Sequence, residues 1–137
     1  QEERLGSGHA VWTAKDKFRD AGEVIIFFGD VIVDTDFQKV MDMPGSVIGV
    51  KKVLDPREFG IVELDENGAV HRVTEKPRIP KSDLAMVGFY KVTEVQSLVD
   101  ALDYHVFNEL RTNEEFPLTD ALMRMLQQGI PFSAVTG

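Results

Sequence analysis

Two stretches of this chain hold residues whose types and setting could do chemistry. In the first, five consecutive apolar residues, Val24 to Phe28, run into Gly29-Asp30. A short β-branched and aromatic run bounded by glycines reads as a strand buried on both faces, the kind found in parallel sheets. Ligands of open parallel sheets bind beyond the carboxyl ends of the strands, and Asp30 falls at that end. Gly29 lets a ligand approach the backbone, and the carboxylate could hold magnesium or a hydroxyl. An aspartate that starts a turn or caps the next element fits the same residues. The second stretch is Glu75-Lys76-Pro77. On an extended backbone adjacent side chains point to opposite faces. Glu75 and Lys76 would then make a poor salt bridge but could serve as two separate ligand contacts. An isolated pair of this kind more commonly solvates a surface.

Other chemistries find no support. His9, His71 and His105 are far apart and lack metal-ligand spacing. Ser7 stands in no nucleophile motif, and no Walker-type phosphate loop is present. Zero cysteines exclude disulfides, thiolate metal sites and a cysteine nucleophile, and fit a reducing, cytoplasmic setting. The net charge of -8 argues against nucleic acid as a partner. No apolar run approaches the length of a membrane span, and no signal peptide is visible. A length of 137 residues, 43% hydrophobic and 28% charged, suits one globular domain.

The elements that must position these residues alternate between strand and helix. Ala10, Val11, Ala14 and Phe18 recur at helical spacing, with Ser7 as a candidate N-cap and Gly22 as a candidate stop. Asp36 to Met43 reads as a short helix, and Ser46 to Val53 as a strand. Ile61–Leu64 and Val70–Val73 flank Asp65-Glu66-Asn67-Gly68, the strongest hairpin signal in the chain. Leu84 to Val92 is a strand whose interior Gly88 suggests close approach of a ligand or another backbone. Thr93 to Gln96 is a capping-box pattern opening a helix with Val95, Leu98, Val99 and Leu102 on its apolar face. The segment from Tyr104 to Glu115 fits a short helix followed by a loop. Pro117 starts a last helix with Leu118, Ala121, Leu122, Met125 and Leu126 in one stripe, closed by Gly129. Phe132 to Val135 is a final strand. The alternation defines an α/β class, and the hairpin makes the sheet mixed.

In this order the segments LGSGHA, FFGD, DPREFGIVELDENG, TEKPRIPKS, VGFY and LTDAL occur across almost the whole chain. Together they resemble the sugar-phosphate nucleotidyltransferase family, which includes glucose-1-phosphate thymidylyltransferases and UTP–glucose-1-phosphate uridylyltransferases. The resemblance implies a Rossmann-like mixed sheet with flanking helices. It also implies a reaction joining a nucleoside triphosphate to a hexose 1-phosphate, with magnesium as cofactor and pyrophosphate released. Matched motif by motif, Gln1 and Gly6 correspond to positions contacting the nucleotide base. Asp30 corresponds to the magnesium-binding acid. Gly60 and Gly88 correspond to backbone positions beside the sugar. Glu75 corresponds to the carboxylate on the sugar hydroxyls, and Lys76 to the lysine on the sugar phosphate, with Lys76 and Asp30 the catalytic pair.

The sequence also departs from the family pattern. It begins without a methionine, in mid-segment, and carries no glycine-rich loop with its arginine and lysine. It ends at Val135-Thr136-Gly137, before the second metal-binding aspartate of relatives. The expectation is a single, partial nucleotidyltransferase-like domain spanning 1–137 and inactive in isolation. Open sheet edges are expected, which a homo-oligomer or a rearranged strand could cover. The alternative is a non-catalytic module that binds sugar phosphate or nucleotide, or that oligomerises. Neither the sugar nor the base is legible.

Overall fold

A computed structural model describes residues 5–28 and 37–136. The fold is α/β: six strands form one mixed sheet with helices on both faces, a Rossmann-like arrangement. In chain order the elements are α1 (Ser7–Thr13), β1 (Val24–Phe27), α2 (Phe37–Asp42), β2 (Ser46–Lys52), β3 (Gly60–Leu64), β4 (Val70–Glu75), β5 (Leu84–Val92), α3 (Val95–Phe107), α4 (Leu118–Gln127) and β6 (Phe132–Thr136). The strand order is β4-β3-β5-β2-β6, with β1 beside β5 as well. Among the described residues only β2 and β6 run parallel. β5 is the organising strand. β2 follows one of its edges, while β3 and β1 pair with its first and last residues.

One face of the sheet packs on α1, α3 and α4 through Ile48, Val62, Met86, Tyr90, Leu98, Leu118 and Leu122, among others. The stripe on α4 forms as its spacing predicts, with Leu118, Ala121, Leu122 and Met125 all buried. The other face holds a smaller cluster of Val40, Val47, Phe89 and Val135, to which α2 contributes Val40. On this second face Lys91 is 3% exposed. Its ammonium donates to the main-chain oxygens of Val40 (3.4 Å), Met41 (3.3 Å) and Met43 (2.6 Å). These carbonyls belong to the last turn of α2 and the residue after it, where a helix has acceptors to spare and favours positive charge.

Several sequence expectations need correction. β1 is not a doubly buried parallel strand. It pairs antiparallel with β5, is half-buried, and leaves Phe27 49% exposed. Among the described residues β5 is its one strand partner, and an apolar groove of about 270 Å³ runs between β1 and α1. An apolar run reports tolerance of burial, not which neighbours arrive to bury it. α1 stops at Thr13 and gives way to a 3-10 turn at Lys15–Lys17, since the charged run to Asp20 offers Phe18 alone as an apolar anchor. The capping box at Thr93 does not form. Glu94 is the N-cap without a side-chain bond, and Gln96 reaches forward to Asp100. Thr93 instead donates its N–H to Ser46 Oγ (3.0 Å), tying the start of α3 to β2.

Gly88 acquires a backbone explanation. Between Ile48 and Val50 of β2 the register on β5 jumps from Tyr90 to Met86, so Gly88 lies in a β-bulge. Its φ of +81° is a left-handed value that favours glycine. Opposite it, a Cβ on Gly49 would stand 3.0 Å from Phe89 Cβ, so the bulge fits because Gly49 has no side chain.

Candidate functional site

The hairpin signal builds the site. Asp65 Oδ1 accepts the N–H of Asn67 (2.8 Å) and of Ala69 (3.0 Å), and Gly68 takes a φ of +82°. This turn sets the register that pairs Gly60 directly with Glu75. Glu75 is half-buried, and its Oε1 accepts the hydroxyl of Thr119 at 3.2 Å. Thr119 sits in the first turn of α4 and is 5% exposed. A Cβ on Gly60 would lie 3.0 Å from Met86 Sδ, 3.2 Å from Thr119 Oγ1 and 3.3 Å from Glu75 Oε1. Glycine at 60 therefore keeps the carboxylate and its partner uncrowded.

Burial pushes the Glu75 carboxyl above its ordinary pKa. The Thr119 hydroxyl and Lys76 oppose that rise, while Asp120 and Glu115 add to it. The Tyr90 phenol is also held well above its ordinary value, first by burial and then by the charge of Glu75. A cavity of about 290 Å³ opens at Glu75, with Arg72, Thr74, Thr112, Asp120 and Gln127 on its other walls. Asp120 is held there by the Thr112 hydroxyl at 2.7 Å.

Lys76 departs from the expected extended geometry. Its φ is +39°, a left-handed conformation that a non-glycine residue adopts only when its surroundings impose it. Its N–H is tied to the Phe59 carbonyl at 3.0 Å, and the strand ends at Glu75. The rule that neighbours on a strand face apart does not extend to this pair. The ammonium-bearing side chain is exposed at the end of β4.

Gly6 packs against the entrance to α4. It is the N-cap of α1 with a φ of +97°, and a Cβ there would come within 3.0 Å of Glu115 Cβ and the Phe116 carbonyl. Ser7 does not cap its own helix. Its Oγ accepts the N–H of Leu118 at 2.8 Å and so caps α4, 111 residues away.

Of the residues singled out from sequence, Gly60 and Glu75 lie in contact, with Lys76 next along the chain. Gly88 is two residues from Met86 and from Tyr90 on β5, and Gly6 packs against Glu115 and Phe116. Gln1 and Asp30 lie outside the described residues. His71 is exposed on β4, and His9 stacks between Trp12 and Phe116. Both ring nitrogens of His105 are buried without a hydrogen-bond partner among the described residues. Burial holds its pKa below the ordinary value; Arg124 reinforces the shift, while Asp120 and the nearby Leu110 main chain oppose it. Among the described residues no three His, Cys, Asp or Glu side chains converge to hold a metal. No helix there is long and apolar enough to cross a membrane.

Sequence reasoning missed Thr119, Tyr90 and Gly49. The available signal for Thr119 was a hydroxyl between Leu118 and Ala121, next to the apolar stripe of α4.

The fold is that of nucleotide-sugar transferases. It superposes on a UDP-glucose pyrophosphorylase solved with UDP-glucose, with a TM-score of 0.77 at 20% identity, over 100% of this chain and 56% of that one. In sequence the chain matches the Nucleotidyl transferase family over residues 1–136 and belongs to that family. It is 34% identical over 131 residues to the bifunctional protein GlmU of Methanococcus maripaludis, covering 94% of this chain and 30% of that protein. It is 36% identical over 95 residues to a glucose-1-phosphate thymidylyltransferase of Streptomyces griseus, covering 66% of this chain and 26% of that protein. The chain thus spans less than a third of the length of these curated relatives.

Proposed function

We propose that this chain supplies the sugar-side core of a nucleotidyltransferase that joins a nucleoside triphosphate to a hexose 1-phosphate. The carrying observation is the Gly60–Glu75–Thr119 arrangement: a half-buried carboxylate, fixed by a hydroxyl and facing a cavity, beside an exposed lysine in a constrained backbone. Glu75 accepts hydrogen bonds from sugar hydroxyls, which suits an oriented carboxylate. The Lys76 ammonium neutralises the sugar phosphate and holds its attacking oxygen toward the nucleotide. That oxygen forms a new bond to the α-phosphorus while the bond to the bridging oxygen breaks, and pyrophosphate leaves. Gly6 and Gln1 contact the base, and Gly88 leaves room beside the sugar.

Magnesium, which the family implies, would supply charge neutralisation at the transferring phosphoryl group. Asp30 is its candidate ligand in this reading, and among the described residues no three His, Cys, Asp or Glu side chains converge. The roles above are therefore those of the chain's own side chains. The absence of cysteine from the sequence favours the cytoplasm as compartment.

Calorimetric titration with glucose 1-phosphate and other hexose 1-phosphates tests this reading. Saturable binding is expected, weakened at least about tenfold by Lys76→Met and by Glu75→Gln. Absence of binding to all of them, or binding that both substitutions leave unchanged, would overturn it.

A further inference from the structure

The short segment Phe116-Pro117-Leu118-Thr119 makes two sets of contacts. On one hand it meets the loop that opens α1. Phe116 donates its N–H to the Leu5 carbonyl (2.6 Å), and its own carbonyl accepts the N–H of Gly8 (2.7 Å) and His9 (3.2 Å). Leu118 donates its N–H to Ser7 Oγ at 2.8 Å. The contact is close enough that a Cβ on Gly8 would lie 2.6 Å from the Phe116 carbonyl oxygen. On the other hand, the next residue along, Thr119, donates to Glu75 Oε1 at 3.2 Å. Pro117 has no N–H to anchor this turn, so Ser7 supplies the side-chain cap at the point where the segment becomes α4.

We propose that Ser7 is a positioning residue that couples the loop at Gly6 to the Thr119–Glu75 pair, so that a nucleoside triphosphate and a hexose 1-phosphate bind with positive cooperativity. The proposal rests on the functional reading above. A base lying against Gly6 holds the loop of residues 5–8 in place. Through Ser7 and Gly8 it holds Phe116 to Leu118, and so fixes where Thr119 presents its hydroxyl. The sugar phosphate then meets a Glu75 already oriented, and the ordering is done once for both ligands. By linkage, the sugar phosphate must favour the nucleotide by the same factor.

The test compares the wild-type chain with Ser7→Ala and Ser7→Thr. Without ligand, nuclear magnetic resonance follows exchange of the Leu118 amide and titration of the Glu75 carboxyl. Ser7→Ala is expected to speed the exchange about tenfold or more and to move the Glu75 midpoint, while Ser7→Thr restores both. With ligands, glucose 1-phosphate affinity is measured with and without a saturating non-hydrolysable nucleoside triphosphate. The ratio is expected to be about fivefold or more in wild type and in Ser7→Thr, and close to one in Ser7→Ala. An unchanged Leu118 amide and Glu75 titration in Ser7→Ala, or the same ratio in all three proteins, would overturn the coupling alone. A wild-type chain that binds neither ligand would overturn the functional reading and the coupling with it. Should Ser7→Ala fold poorly, Gly8→Ala strains the same contact from the loop side and is expected to lower the ratio likewise. A ratio that it leaves at the wild-type value counts against the coupling.

Discussion

Thr119 donates its hydroxyl to Glu75 Oε1 from the first turn of a helix that is 44 residues further along the chain. The bond gives a half-buried carboxylate a fixed direction, and it is the one force from α4 that favours the charged form of Glu75 against its burial. Thr119→Val keeps the shape and removes the donor. A hydrogen bond to a charged group contributes about 1.5–3 kcal/mol, and the low end applies to a carboxylate that water still reaches. Hexose 1-phosphate affinity is expected to fall roughly tenfold with little loss of packing, read by calorimetry.

Glu75 has a cost in stability at neutral pH. Its folded-state pKa lies above the ordinary value of 4.5, so the folded chain keeps this proton to a higher pH than the unfolded chain does. Its contribution to stability is complete below about pH 4.5 and is lost as pH rises through the folded value. Glu75→Gln removes that dependence. The variant is expected to melt higher than wild type at pH 7, with the gap closing toward pH 4, while it loses sugar phosphate binding. Melting curves across that range check the sign.

Gly60→Ala probes the crowding directly. The new Cβ must displace the Met86 thioether, which can swing aside, and push Thr119 and Glu75 apart by a few tenths of an ångström. The chain is expected to fold with a loss of about 1–3 kcal/mol, typical of overpacking. Binding should suffer more than stability, since the displaced groups are the ones that the proposed function assigns to orienting the sugar. Comparing the denaturation midpoint with the ligand affinity separates the two.

His105 gives the opposite pH signature to Glu75. Its folded pKa is depressed below 6.5, so near and below that pH the unfolded chain binds a proton that the folded chain does not. Stability is expected to decline as pH falls through 6.5. His105→Leu deletes both buried nitrogens and with them the proton that only the unfolded chain binds. It should raise the melting temperature at pH 5.5 and change it much less at pH 8.

What could be read from residues alone followed the range over which each signal acts. The β3–β4 hairpin was legible because Asp65, Asn67 and Gly68 close it with bonds inside the turn itself. The helix α4 was legible because Pro117 and Gly129 bracket an apolar stripe. Ser7 was read as a cap, and it is one, but its partner Leu118 lies in another helix. No local rule reaches that far. Lys76 was misread as extended because its left-handed turn depends on the Phe59 carbonyl across the hairpin. Thr119 was invisible as a site residue for the same reason: its meaning comes from Glu75, brought beside it by packing. The environment of β1 failed differently. Its composition allows burial, and the strands that would decide the matter are not encoded in those four residues. The ordered family motifs singled out Glu75, Lys76 and Gly60, which the β3–β4 pairing brings together, because an order of segments carries tertiary information that periodicity does not.

Lys91 offers a clock. Its amine is hydrogen-bonded to three carbonyls and shielded from water by the sheet face and α2, so an acylating reagent passes over it while the native packing lasts. The reaction becomes possible only when α2 lifts from the strands, and each lysine modified there records one such opening. Mass spectrometry of the peptide holding Lys91, sampled over time, should therefore show far slower labelling than peptides holding the exposed Lys51, Lys52 or Lys81. A rate at Lys91 equal to theirs would mean that the small cluster around Val40 and Phe89 comes apart as readily as a surface loop.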